Sequence, residues 1–134
     1  MLVKQRNQWT EADLLSVARL ILNPETNGGT YVILTPEYVA AHLPVTPALA
    51  VFVEGTAAFM VGLNPYEPSI PRGVLHVAGD GRVPEAWRVT RAFLEALEGV
   101  QVFAFTPSPV LARLARRAGL SLLGREGPNL VLGR

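Results

Sequence analysis

The sequence contains no cysteine, and this absence excludes disulfide bonds, thiolate nucleophiles and cysteine-based metal sites. Histidine occurs only twice, at His42 and His76, which is too few for a metal cluster, so we predict no metal. No apolar run approaches the roughly 18 residues of a membrane span, and the first residues lack the layout of a signal peptide. We therefore expect no membrane contact and a protein that is cytoplasmic or packaged inside a larger particle.

The sequence also lacks a strong charge of either sign. Lysine and arginine together number 12 and the acidic residues 11, so the net charge of +1 gives no signal for nucleic acid. Lys4 is the only lysine, and arginine-rich, proline-rich compositions of this kind resemble those of thermophiles. Apolar residues make up 49% of the 134 residues. We expect one domain over 1–134, with a protein-binding surface beside its core.

Two consecutive strand–helix units dominate the middle of the chain. Both strands are apolar enough to be buried on both faces, and both helices carry apolar residues at helical spacing. The predicted elements are a strand at Arg72–Ala78, a helix opened by Pro84 and ended by Gly99, a strand at Val100–Phe105, and a helix capped by Ser108 and ended by Gly119. The predicted inner face of the second helix consists of Val110, Leu111, Leu114, Ala115 and Ala118. Such units have parallel strands, and ligands bind where their strands end and their helices begin, so we expect function at 78–85 and 106–108.

The rest of the chain completes a mixed sheet. The predicted elements are a strand at Leu2–Gln5, a helix capped by Thr10 and running to Leu22, a short extended segment at Tyr31–Leu34, a helix from Pro36 stopped by Pro44, a hairpin of Ala48–Val53 and Thr56–Leu63, a loop at Asn64–Pro71, and closing strands at Leu120–Leu123 and Asn129–Leu132 around a loop at Gly124–Pro128. The order β-α-α-β-β-β-α-β-α-β-β predicts an α/β domain with a mixed central sheet and helices on both faces.

This order of elements resembles the GNAT superfamily of acetyl-CoA-dependent N-acetyltransferases. The stretch Ser108–Leu120, SPVLARLARRAGL, is similar to the family's last helix, which begins with Asn and closes in Gly-Phe before a hairpin. The strand at Val77 passes into the helix near Trp87 without the usual glycines, and in this it resembles divergent GNAT-like proteins of tailed phages. The resemblance implies a GNAT fold and a location in the host cytoplasm or the virion interior.

The resemblance also implies a cofactor loop between the fourth strand and the third helix. In active members a loop of the form Gln/Arg-x-x-Gly-x-Gly/Ala holds the pyrophosphate of coenzyme A with its bare amides. Aligned on Arg82, the two small positions of this loop become Glu85 and Trp87. Glu85 would repel phosphate and Pro84 would remove one amide donor, so this alignment predicts a degenerate cradle.

Two further departures fall on the family's functional positions. The late tyrosine, which in the family donates a proton to the leaving thiolate, corresponds to Ala115, and the asparagine at the head of the last helix corresponds to Ser108. A second alignment keeps a shortened cradle in Gly79-Asp80-Gly81-Arg82, with Arg82 on the phosphates. The same four residues also form an ordinary tight turn that needs no ligand.

His76 is the candidate catalytic residue, because active relatives often place a general base on this strand. An imidazole can take a proton from an ammonium near neutral pH. The alternative is a half-buried strand histidine bonded to backbone. The resemblance further places the oxyanion donor at an amide near Val77 or Ala78. The candidate cofactor-binding residues are Val77, Ala78, Gly79, Gly81, Arg82 and Ser108.

Two functions remain open from the sequence. The preferred hypothesis is a non-catalytic, phage-like GNAT-fold protein that requires no cofactor and binds a protein partner. That partner would be a second copy in a homodimer, a virion component or host machinery. The alternative is an active N-acetyltransferase that uses acetyl-CoA on an unknown amine. Five arginines on the two central helices are either solvated outer faces or a site for phosphate or an acidic partner; they are Arg88, Arg91, Arg113, Arg116 and Arg117.

Overall fold

The computed structural model describes residues 1–23, 34–43, 45–67 and 70–134. The predicted segment at Tyr31–Leu34, apart from Leu34, and the helix stop at Pro44 lie outside them. The described elements are β1 (Leu2–Gln5), a 3₁₀ turn (Arg6–Gln8), α1 (Glu11–Leu22), α2 (Pro36–His42), β2 (Ala48–Val53), β3 (Thr56–Glu67), β4 (Ile70–Gly79), α3 (Ala86–Ala96), β5 (Gln101–Thr106), α4 (Pro109–Arg117), β6 (Ser121–Glu126) and β7 (Asn129–Gly133). No helix among these is long and apolar enough to cross a membrane.

The strands form one seven-stranded sheet in the order β1-β2-β3-β4-β5-β7-β6. β4 and β5 are parallel, whereas β1–β2, β2–β3, β5–β7 and β6–β7 are antiparallel. The parallel pair arises because α3 connects β4 to β5 as a crossover. This arrangement confirms the predicted α/β class and the mixed sheet.

The chain divides into two compact units, and the first contains Met1–Gly62 and Val77–Pro84. Its helix α1 begins where predicted, because Thr10 Oγ1 accepts the Asp13 N–H at 3.1 Å and Asp13 Oδ2 accepts the Thr10 N–H at 3.0 Å. The core of this unit is an apolar cluster against which Trp9 packs; its buried members are Val17, Leu20, Ala50, Phe52, Ala57, Met60 and Ala78. Ala78 thus fixes the end of β4 in the core of the unit.

The second unit contains Leu63–His76 and Glu85–Arg134. Ser108 caps α4 and Pro109 begins it, as predicted, and the helix buries Ala112 and Ala115. The prediction that Val110 faces inward is wrong, since its side chain is 64% exposed. Val110 lies two residues before Ala112, about 200° around the helix, and therefore points away from the buried face.

Three predicted boundaries are wrong. The predicted loop at Asn64–Pro71 is too long, because β3 continues to Glu67 and β4 begins at Ile70. A proline ends a strand only where a neighbouring strand needs the N–H that proline lacks. The predicted loop at Gly124–Pro128 is also too long, since β6 continues to Glu126. Gly124 has φ +156° and lies at a register shift after Leu122, so this glycine marks a bulge. The third wrong boundary is the start of α3, which is described with the candidate site below.

Candidate functional site

The site candidates predicted on β4 lie beyond its paired part. The parallel ladder with β5 consists of Arg72↔Gln101, Gly73↔Val102 and Val74↔Phe103. After Val74, β4 continues to Gly79 and β5 continues to Thr106 without a further register pair between them. The backbone of β4 from Leu75 onward therefore has hydrogen-bonding groups on this edge that the ladder does not use.

His76 occupies the second position after the last ladder pair and is half-buried. Burial lowers the pKa of His76 below its ordinary value of about 6.5, because the charged imidazolium loses hydration. The ring is therefore largely neutral at pH 7, the form that can accept a proton. The role of His76 as a general base stays a prediction.

The end of β4 is held against β3 within the first unit. A Cβ added at Gly79 would lie 2.9 Å from Cδ1 of Phe59, so this position requires glycine for close packing. The Asp80 N–H donates to the Ala58 carbonyl oxygen at 3.1 Å. Because N–H directions alternate along a strand, the N–H of Ala78 also points toward β3, and those of Gly79 and Val77 point toward the opposite edge.

The turn after β4 is stabilised by hydrogen bonds between Arg82 and Asp80. Gly81 has φ +87°, a conformation that favours glycine, and the Arg82 N–H donates to Asp80 Oδ1 at 3.1 Å. The Arg82 side chain donates from Nε to Asp80 Oδ2 at 2.8 Å, and from Nη1 and Nη2 to the carbonyls of Val53 and Ala57 at 3.3 and 3.2 Å. The guanidinium is thus directed at the β2–β3 hairpin.

Helix α3 begins at Ala86, so the prediction that Pro84 is its first residue is wrong. Glu85 is the N-cap residue, with φ 53° and ψ 42° in the left-handed region, and a helical Pro84 cannot lead into such a kink. The Glu85 carboxylate makes no cap hydrogen bond and lies 3.4 Å from Arg88 Nε. The first amides of α3 therefore have no side-chain acceptor, and the missing N–H of Pro84 lies outside the helix.

The other described α-helices differ from α3 in this respect. Thr10, Thr35 and Ser108 each accept a backbone N–H of the first turn with the side-chain hydroxyl oxygen. Their N-terminal donors are thereby partly satisfied by a side chain. In α3 the Arg88 N–H donates to the Glu85 carbonyl oxygen at 2.8 Å, and no side chain caps the N–H groups of Ala86 and Trp87. Ser108, predicted to bind cofactor, has its Oγ 3.2 Å from the Leu111 nitrogen, and cofactor binding by this hydroxyl stays a prediction.

A groove of about 360 Å³ lies beside the start of α3, between this helix and α4. Its lining consists of Glu85, Ala86, Trp87, Val110, Arg113, Leu114 and Arg117. The ring of Trp87, which stands at a small position of the predicted cradle, contacts Arg117 of α4. The Cζ of Arg117 lies 4.5 Å from the ring centroid, and the Cζ of Arg88 lies 5.3 Å from it. An aromatic face with guanidinium groups around it suits a ligand that carries both a flat ring and phosphate.

The electrostatic balance of this groove is positive. Its single carboxylate, that of Glu85, is paired with Arg88, while Arg113 and Arg117 have no ion pair within the part of the chain that the structure describes. The arginines of both helices are evident in the sequence, but no sequence signal indicates that Trp87 and Arg117, 30 positions apart, are in contact. Ala115, at the position of the family's tyrosine, is buried and 4% exposed.

No group of three or more His, Asp or Glu side chains in the described ranges is placed to hold a metal ion. In comparisons with known proteins, no family model matches the chain. No curated protein matches it either.

Solved structures match the chain over its whole length. A ribosomal-protein-alanine N-acetyltransferase from Brucella melitensis has a TM-score of 0.72 and 17% identity, covering 100% of this chain and 99% of its own. An acetyltransferase of the GNAT family from Streptococcus pneumoniae has a TM-score of 0.67 and 15% identity, covering 99% and 97%. PaiA N-acetyltransferase from Thermoplasma acidophilum, in complex with coenzyme A, has a TM-score of 0.67 and 12% identity, covering 100% and 99%. The chain therefore has the GNAT fold, and the resemblance to phage proteins finds no support in these comparisons.

Proposed function

We propose that this GNAT-fold chain is an acetyl-CoA-dependent N-acetyltransferase. The observation that carries the proposal is the likeness over the full chain to N-acetyltransferases, of which one is described in complex with coenzyme A. The fold alone does not decide function. Two features of this chain add to it: β4 and β5 stop pairing at Val74, and α3 begins without a side-chain cap.

The residues at the start of α3 fit coenzyme A by the chemistry of their donors. The N–H groups of Ala86 and Trp87, which no side chain caps, and the positive end of the helix dipole suit a diphosphate. The groove beside them offers the Trp87 ring for an adenine, and Arg113 and Arg117 for phosphate. Two positions support this proposal, since Pro84 lies outside the helix and Trp87 packs toward α4.

The end of β4 provides the donor for charge that develops on oxygen. Acetyl-CoA, when bound, supplies a thioester whose carbonyl carbon an amine attacks. The Val77 N–H points to the edge of β4 that the β5 ladder does not use, so it can donate to the carbonyl oxygen. The Ala78 N–H points toward β3, and between the two predicted donors we therefore favour Val77.

His76 is the group of this strand that can receive a proton from the attacking amine. Burial lowers its pKa, so the neutral base is the main form at pH 7. Ala115, at the position of the family's tyrosine, has no proton to give to the departing sulfur.

A non-catalytic role in protein binding is the second candidate. It is favoured by Ala115 in place of the family's tyrosine and by the Glu85 carboxylate next to the first amides of α3. In this case the chain keeps the scaffold, binds no coenzyme A and presents its surface to a protein partner.

Calorimetry with coenzyme A and a thiol-release assay with acetyl-CoA and a panel of amines separate the two. An acetyltransferase should bind coenzyme A at micromolar concentrations and release thiol above the no-amine background. Its melting temperature should also rise with added coenzyme A. At a coenzyme A concentration of 100 times Kd, binding should increase the free energy of unfolding by about 2.7 kcal/mol. Absence of both binding and thiol release would leave the protein-binding role.

A further inference from the structure

All three guanidinium nitrogens of Arg82 donate a hydrogen bond within the first unit. The Nε atom donates to Asp80 Oδ2 at 2.8 Å, Nη1 to the Val53 carbonyl at 3.3 Å and Nη2 to the Ala57 carbonyl at 3.2 Å. We name this arrangement the Arg82 clasp: Arg82, Asp80 and the carbonyls of Val53 and Ala57. It connects the turn after β4 to both strands of the β2–β3 hairpin.

The clasp holds the end of the β2–β3 hairpin, where two consecutive residues have positive φ. Glu54 and Gly55, between the two carbonyls, have φ values of 52° and 82°. Another hydrogen bond holds the hairpin at Ala57, whose N–H donates to Ser16 Oγ of α1 at 2.8 Å. Ala57 is 4% exposed and belongs to the apolar core. Its N–H is thus fixed by α1 and its carbonyl by Arg82.

We infer that Arg82 is a positioning residue, which holds the end of β4 through the clasp and does not contact the cofactor phosphates. The inference rests on the proposed function and deepens it. Arg82 lies two residues beyond Asp80, whose N–H joins β4 to β3, and five residues beyond Val77, the favoured oxyanion donor. A fixed turn at this point keeps the Val77 N–H aimed at the free edge of β4.

The geometry favours positioning over phosphate binding. The clasp uses one N–H on each of the three guanidinium nitrogens, so a phosphate in contact with Arg82 would have only the two N–H groups that remain on Nη1 and Nη2. The Asp80 carboxylate, whose side chain is 23% exposed, would also lie beside such a phosphate as a charge of the same sign. The amides of α3 and the arginines of the groove supply phosphate donors that are not paired with Asp80.

The two roles predict different kinetic effects of Asp80→Asn. In the positioning role this change weakens the clasp, so kcat should fall, as it should in Arg82→Gln. In the phosphate role it removes a competing anion and frees Arg82, so the KM for acetyl-CoA should fall. Arg91→Gln is the matched control, because Arg91 is an exposed arginine paired with Glu95 on α3, outside both the clasp and the groove.

The kinetic test compares acetyl-CoA with S-acetylpantetheine, which lacks the phosphates. With a positioning residue, Arg82→Gln should lower kcat for both substrates by the same factor, about 10-fold, with little change in KM. Arg91→Gln should stay within about 2-fold of wild type. A loss confined to acetyl-CoA, or a tighter KM in Asp80→Asn, would overturn the inference.

Amide hydrogen exchange supplies a readout that needs no cofactor. Exchange of the Asp80 N–H should accelerate about 10-fold in Arg82→Gln and remain as in wild type in Arg91→Gln. Arg82→Lys should restore only part of the protection, because an ammonium cannot form the three-way fork. Unchanged Asp80 exchange in Arg82→Gln would refute the clasp. If wild-type protein turns over neither substrate, the proposed function fails, and this exchange measurement alone then decides the clasp.

Discussion

The guanidinium of Arg117 lies over the indole ring of Trp87, with 4.5 Å between Cζ and the ring centroid. This contact joins the last turn of α4 to the first turn of α3 and forms one wall of the groove. Arg117 thereby has an apolar partner for its planar face while its N–H groups stay available to an anion. Arg116, the preceding residue, is exposed and does not line the groove.

Arg117→Gln should weaken coenzyme A binding about 10-fold, because a phosphate loses one charge-assisted donor. Isothermal titration calorimetry measures the Kd directly. Arg116→Gln changes the same charge on the neighbouring residue and should leave the Kd within about 2-fold of wild type. Equal losses in the two variants would show that the effect is one of net charge and that the groove is not the binding site.

Glu85→Gly should stabilise the fold by about 0.5–1 kcal/mol, because glycine adopts the positive φ of 53° without strain. It should also tighten coenzyme A binding about 3-fold, since a carboxylate no longer opposes anions at the start of α3. Glu54→Gly is the matched control, as Glu54 has φ 52° at the β2–β3 hairpin. It should raise the melting temperature similarly and leave the Kd unchanged. Weaker coenzyme A binding by Glu85→Gly would contradict the assignment of this helix end.

His76→Gln should lower kcat at pH 7 by about 100-fold, the usual contribution of a general base. In wild type, kcat/KM should fall on the acid side of the profile at a pH below about 6.5, where the pKa of His76 lies. His76→Gln should lose this acid limb, and His42→Gln, with the change on α2, should keep it. An acid limb that persists in His76→Gln would assign the base elsewhere.

The lowered pKa of His76 also predicts how stability depends on pH. Since the pKa of His76 is lower in the folded protein than in the unfolded chain, the unfolded state binds the proton more readily. The free energy of unfolding should therefore decrease as the pH falls below about 6.5, until His76 is protonated in the folded state as well. Urea unfolding of wild type and His76→Gln between about pH 5 and 8 tests this, because the variant should lose this part of the slope.

Asp13→Asn should lower the free energy of unfolding at pH 7 by about 1 kcal/mol, as expected for a weakened helix cap. Asp13 Oδ2 accepts Lys4 Nζ at 2.8 Å and the Thr10 N–H, and these bonds lower the pKa of Asp13 below 3.8. The contribution is present above about pH 3.8 and disappears as the pH falls through the folded-state pKa. Glu37→Gln, in the first turn of α2, should stay within about 0.5 kcal/mol of wild type. A difference that grows toward low pH would contradict the ion pair.

Sequence predicted those elements that neighbouring residues specify. The capping box of Thr10 and Asp13, the cap at Ser108 with Pro109 after it, and the hairpin at Glu54–Gly55 all formed as expected. Each depends on residues no more than three positions apart, so the printed sequence contains the whole interaction. The GNAT resemblance followed from the order of such elements, and the solved structures confirm that fold.

Sequence was less successful where glycine and proline were taken as boundaries. Gly124 marks a bulge inside β6, and the prolines between Asn64 and Pro71 did not keep β3 from reaching Glu67. Pro84 was predicted to open α3, but Glu85 takes a left-handed conformation and the helix begins after it. Glycine and proline are each compatible with several local structures, including turns, bulges and strand ends. Pairing in the sheet determines which of these structures forms.

Local sequence specifies the order of strands and helices and the caps of α1 and α4, and composition excludes cysteine chemistry. Long-range packing specifies that Arg82 reaches Val53 and Ala57, 29 and 25 positions away, and that Trp87 packs on Arg117. Local elements depend on bonds between near neighbours along the chain. The partners of long side chains depend on which elements the sheet brings within about 5 Å, and the spacing of residues in sequence does not contain that distance.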